Sequence, residues 1–134
     1  MSGMPGIEWK TIRDSAGPYP QQAFEFVREG LSHTVGLVHG DGAAPDDENR
    51  HVSGQQLCFG LKDYAVRRYG LLARTVLAHW SINRTDDFGR IIFAMIDAGL
   101  MRKTDDDSFA DFQGVYDFDE AFGSLQPAMN EPQN

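Results

Sequence analysis

The chain of 134 residues has the length of one domain and is 41% hydrophobic and 11% aromatic, which excludes a disordered polymer. Its longest purely apolar run, residues 91–96, falls far short of the roughly 20 residues a membrane helix needs, and its single cysteine, Cys58, excludes a disulfide framework and a multi-cysteine zinc site. The net charge of −8 is unevenly placed: residues 104–134 carry eight acids and no base, whereas residues 62–103 carry eight bases against four acids.

In chain order, residues 1–10 show no basic-then-apolar leader, so a cytoplasmic protein with no membrane association is expected. Ile7, Trp9 and Ile12 suggest a short first helix over residues 7–15, broken by Gly17, Pro18 and Pro20. A second helix is expected to start with Pro20 at its first position and to carry Phe24, Val27, Leu31, Val35 and Val38 on one side. Phe26, Gly30 and Leu37 mark a second stripe. Residues 40–50, with Pro45 and three consecutive acids, read as a surface loop.

The third helix has the clearest start. Ser53 and Gln56 form a capping box, and Val52 with Leu57 a hydrophobic staple. Its two apolar sides predict a central helix, ended by Gly70. A fourth helix over residues 71–80 is expected to turn Leu72, Val76 and Trp80 inward. After a tight linker, Thr85 should cap a fifth helix with Phe88, Ile91, Ile92, Met95 and Ile96 on one face, stopping at Gly99. Residues 100–103 and 115–118 then read as two strands of a small hairpin, around an acidic turn or short helix at 105–112.

The expected fold class is therefore mainly α with a small β-hairpin (α+β), in five helices, the N-terminal helix pair packed on the central helix. Helices joined tightly and followed by a hairpin that opens with Gly99-Leu100 are similar to a winged-helix domain over residues 52–118. Residues 1–122 read as one globular domain and residues 123–134 as a flexible tail.

No catalytic constellation, cofactor site or metal site is expected. His33, His39, His51 and His79 are nowhere spaced four apart, and no cysteine–histidine pairing exists. Cys58 with His79 as its base lacks any nucleophile signature, and a lone cysteine beside Leu57 and Leu61 reads as a small core residue. Asp105, Asp106, Asp107 and Asp111 lack the glycine and terminal acid of a calcium loop. Asp87-Phe88-Gly89 spells the kinase magnesium tripeptide, but inside a helical pattern in a chain too short for that fold.

Three surfaces stand out. The outer face of the fifth helix is expected to show Asp86, Asp87, Arg90, Ala94 and Asp97, a net negative face that would repel phosphates and so disfavours nucleic acid. Tyr116, Phe118 and Phe122, interleaved with carboxylates, suit a basic protein partner with an apolar groove, unless they close the domain's own core. A candidate basic surface comprises Lys62, Arg67, Arg68 and Arg74.

His51-Val52-Ser53-Gly54-Gln55, Tyr69-Gly70, residues 84–89, Ala98-Gly99-Leu100, and residues 115–118 through Ala121-Phe122 together carry a resemblance to a small uncharacterised protein family associated with Planctomycetes and Verrucomicrobia. Tyr19-Pro20 and Phe26-Val27 resemble that family's N-terminal part. The resemblance implies no activity and no site residues. The expected function is a non-catalytic interaction module. The alternative is a winged-helix-type nucleic-acid-binding regulator whose basic segment is screened by the acidic C-terminal stretch.

Overall fold

A computed structural model describes residues 17–40, 51–101 and 107–123. The expected helix at 7–15, all of the expected loop at 40–50 except Gly40, and the tail beyond Gly123 lie outside the described residues.

Helix α1 (Gln21–His39) begins one residue after Pro20, which stands in extended backbone as the N-cap rather than at the first helical position. Phe24, Val27 and Val35 face the interior, and Phe26 and Gly30 are buried too. The second stripe is thus the contact with helix α2 (Gly54–Tyr69), although Leu37 at its end is exposed. The two helices run antiparallel: Phe26 meets Tyr69, Glu29 meets Arg68, and Thr34 lies against Gly60. Small residues let the backbones approach, since a Cβ on Gly60 would stand 1.9 Å from the Thr34 hydroxyl oxygen. The start of α2 is the expected capping box: the Gln56 N–H donates to Ser53 Oγ at 3.1 Å, and the Ser53 N–H to Gln56 Oε1 at 2.8 Å.

Gly70 ends α2 at φ 55, ψ −128, a conformation open to glycine, and a 3-10 turn (Gly70–Leu72) leads into α3 (Ala73–His79). The turn changes the helical phase. Ala73 and Leu77 point inward, while Leu71 and Leu72 point out. The expected inward face of Leu72, Val76 and Trp80 is therefore corrected: Leu72 is exposed, and Val76 and Trp80 are only partly buried.

Helix α4 (Thr85–Asp97) buries Phe88, Ile91, Ile92 and Met95, as its periodicity predicts. It ends in a Schellman turn, with the Leu100 N–H on Met95 O, the Gly99 N–H on Ile96 O, and Gly99 at φ 81. A second 3-10 turn (Phe109–Phe112) lies so close to α4 that a Cβ on Gly89 would stand 2.8 Å from Phe112 Cβ. Gly89 thus makes room for this turn. A short helix α5 (Phe118–Gly123) closes the far side, with Phe118 against Phe88.

No strand occurs among the described residues, so the expected β-hairpin and the α+β class are corrected to a helical fold. Of residues 100–103 only Leu100 and Met101 are described, and neither is in a strand. The supposed returning strand fails on chemistry. The Val115 N–H donates to Thr85 Oγ1 at 3.1 Å instead of to a neighbouring strand, and Phe118 already begins a helix. Among the described residues there is thus no wing, and the winged-helix likeness falls with it. Among the described residues, no helix is long and apolar enough to cross a membrane.

Candidate functional site

The densest polar cluster surrounds the first turn of α4, where Thr85, Asp86 and Asp87 are buried. Asp87 Oδ2 accepts the backbone N–H groups of Asn83 at 2.8 Å and Arg84 at 3.1 Å, which satisfies donors that a helix start leaves open. Its Oδ1 accepts from Arg90 at 2.7 Å and from the Tyr19 hydroxyl, which ties the segment before α1 to α4. Burial, reinforced by the Asp87 hydrogen bond, pushes the Tyr19 phenol up to about 12. Thr85 donates to Phe112 O at 2.6 Å, and Asp86 accepts the Gly114 N–H at 3.2 Å. Each acceptor position of Asp87 is occupied, so this carboxylate holds structure and has no lone pair left for a base or a metal.

The expected solvent face of this helix is therefore corrected. Asp86 and Asp87 are 7% and 5% exposed and Ala94 is buried, leaving Arg90 and Asp97 outside. A single-core helical wheel fails here because α4 is wrapped at its start by Tyr19 on one side and the 112–115 loop on the other. With Asp86 and Asp87 turned inward, the outer face of this helix does not present three acids to repel a phosphate.

The three aromatics expected to dock a partner are brought together, but two of them are buried and Tyr116 is partly buried. Phe118 and Phe122 are 2% and 1% exposed and meet edge to face at 5.3 Å. Tyr116 stacks on Phe118 and donates its hydroxyl to Cys58 O at 2.7 Å. Burial pushes the Tyr116 phenol far above its ordinary range. Phe118 and Phe122 thus close the core, while Tyr116 is partly buried with the exposed Phe59 ring packed on it at 5.3 Å.

The basic set does not form one free patch. Arg67 pairs with Asp63 at 2.7 Å, Arg68 with Glu29 at 3.3 Å, and Arg74 with Asp119 at 3.4 Å. Arg74 also lies over the Phe118 ring, so the acidic stretch does meet a base at this point. Lys62 stands half-buried on α2. The His33 hydrogen bond, at 2.7 Å, and Arg67 together hold the Asp63 carboxyl below its usual range.

Cys58 is fully buried, and burial pushes its thiol up to about 12, the reverse of an activated nucleophile. His79 is exposed. Asp107 faces His51 at 3.3 Å, and Asp111 is half-buried beside Gly54, whereas Asp105 and Asp106 lie outside the described residues. Among the described residues, no three histidine, cysteine or acidic side chains gather as a metal site would require.

What residue-by-residue reading missed is an exposed apolar corner. Leu71 and Leu72 are 60% and 63% exposed, adjacent, and held out by the 3-10 turn. The signal was present in Gly70, a helix-ending residue that resets the phase for the two leucines that follow. Comparison with protein-family models finds no match to the chain, and comparisons with curated proteins and with solved structures find none either.

Proposed function

We propose that this chain is a cytoplasmic, non-catalytic interaction module that docks a protein partner on the Leu71–Leu72 corner. The observation that carries the reading is the pair of adjacent leucines held in solvent by the 3-10 turn between two helices. Burying a leucine side chain stabilises a contact by about 1.5–3 kcal/mol, so two side by side make an anchor. Arg68 and Arg74, on either side in sequence, are each engaged by an acid of this chain, so the corner offers apolar surface without strong net charge. The partner is accordingly one with an apolar pocket, and no longer the basic groove that surface aromatics would have required.

The test is the double variant Leu71→Ser/Leu72→Ser, which touches exposed side chains only and should keep the parent melting temperature. Cross-linking in the native host followed by mass spectrometry should lose the parent's partners in the double variant. Retention of the same partners at the same yield would end this reading.

A further inference from the structure

Helices α1, α2 and α4 and the second 3-10 turn do not fill all the space between them. Among the described residues, a cavity of about 170 Å³ lies between Val35, Leu57, Ile92, Ile96 and Phe112. Its deep wall is apolar and well covered, with Leu57, Ile92 and Phe112 each at most 5% exposed. Its other end is polar and reaches solvent. There His51 Nε2 faces Asp107 Oδ1 at 3.3 Å, with their side chains 39% and 19% exposed. Ser53 also lines this end. Its Oγ accepts from the Gln56 N–H, which leaves the hydroxyl proton to donate.

We infer that this cavity is a binding site for a small neutral molecule with one aromatic ring and one hydroxyl group, a phenol. Size sets the first limit, because an apolar cavity of about 150 Å³ is enough to take up benzene. The space here encloses one ring with a small substituent, whereas a fused-ring or drug-sized ligand, which needs several hundred cubic ångströms, would project into solvent. Polarity sets the second. An apolar wall with a few hydrogen-bonding groups at one end orients a ligand with a polar head and a greasy body. The ring lies against Leu57, Ile92 and Phe112, and the hydroxyl meets His51 and Ser53. A charged head is disfavoured because His51 and Asp107 already face one another. The site shares no residue with the Leu71–Leu72 corner, so it stands or falls independently of the interaction reading.

The experiment uses the full chain with phenol and toluene as probes. Amide chemical shifts are followed by heteronuclear NMR and melting temperature by circular dichroism, each up to about 10 mM ligand, a range suited to so small a molecule. Phenol should saturate, raise the melting temperature and shift the amides of Leu57, Ile92 and Phe112. Ile96→Phe, which fills the cavity with apolar volume at a half-buried position, should abolish those shifts. Met101→Phe offers a second filling variant at another half-buried lining residue if the first unfolds. His51→Ala, at a side chain that already reaches solvent, should weaken phenol about fivefold, the loss of one hydrogen bond, and leave toluene unchanged. The inference is overturned if those amides do not move with phenol, or if their shifts survive in a folded cavity-filling variant. Equal weakening of both probes by His51→Ala would equally refute the assigned polar end.

Discussion

Gly60 on α2 passes so close to Thr34 on α1 that a Cβ there would lie 1.9 Å from the Thr34 hydroxyl oxygen and 2.6 Å from its Cβ. By helix propensity alone, alanine at an interior helical glycine is favourable by about 0.5–1 kcal/mol. Packing reverses the sign. Thr34 is 1% exposed, β-branched, and fixed by its hydrogen bond to Gly30 O at 2.7 Å, so it cannot swing away. Gly60→Ala should destabilise the protein by about 1–3 kcal/mol in urea unfolding. Thr34→Gly in the same chain should recover part of that loss, read as a coupling of about 1 kcal/mol in a double-mutant cycle. Additive effects would show that the helices separate freely.

Asp87 is the second lever. Its carboxylate joins the segment before α1, the 83–84 linker and α4 through four donors. In Asp87→Asn one acceptor becomes an NH₂ that must face a donor. Hydrogen bonds to charged groups contribute about 1.5–3 kcal/mol, so a loss of at least about 2 kcal/mol is expected. Tyr19→Phe removes one donor to the same charged carboxylate and should cost about 1.5 kcal/mol. A neutral Asp87→Asn would mean that the first turn of α4 is held by other contacts.

Phe122 and Tyr116 separate a core role from a surface role. Phe122→Ala should destabilise by about 3–5 kcal/mol, the range for a buried phenylalanine, and so remove much of a domain's typical margin. Tyr116→Phe removes only the hydrogen bond to Cys58 O and should cost about 1 kcal/mol. Denaturant midpoints check both. A stable Phe122→Ala would return this aromatic to the surface and reopen it as a docking residue.

These contrasts show what the sequence makes legible. The start of α2 was readable because Ser53 and Gln56 act within one turn, and the core face of α4 because five apolar residues repeat at helical spacing. Features that depend on distant segments were hidden. The aspartates of α4 look solvent-facing on a wheel, but Tyr19, 68 residues before Asp87, and Gly114, 28 residues after Asp86, cover them. Val115, Tyr116 and Phe118 have strand composition, yet a side-chain hydroxyl on Thr85 and ring packing claim them for another geometry. The candidate cavity was invisible for the same reason, since its walls come from three helices and a turn far apart in sequence.

The thiol of Cys58 supplies a pH-dependent prediction. In the unfolded chain it ionises with its ordinary pKa of 9.0, whereas in the folded protein burial pushes it up to about 12. Between those values the unfolded state has lost a proton that the folded state keeps, so stability falls as pH rises. The contribution is fully present below pH 9 and is lost progressively toward 12. From pH 8 to pH 10 the loss specific to this thiol is about 1.3 kcal/mol. Cys58→Ala lacks that thiol, so the stability difference between parent and variant should narrow by that amount over this interval. Comparing the two chains removes the further loss expected from Tyr19, which sets in above its ordinary value of 10.0. Urea titrations at the two pH values measure the difference directly. A parallel pH dependence in both chains would mean that the thiol ionises in the folded state, and Cys58 would then react with a disulfide reagent such as dithionitrobenzoate without denaturant. The expected result is no reaction until the protein is unfolded.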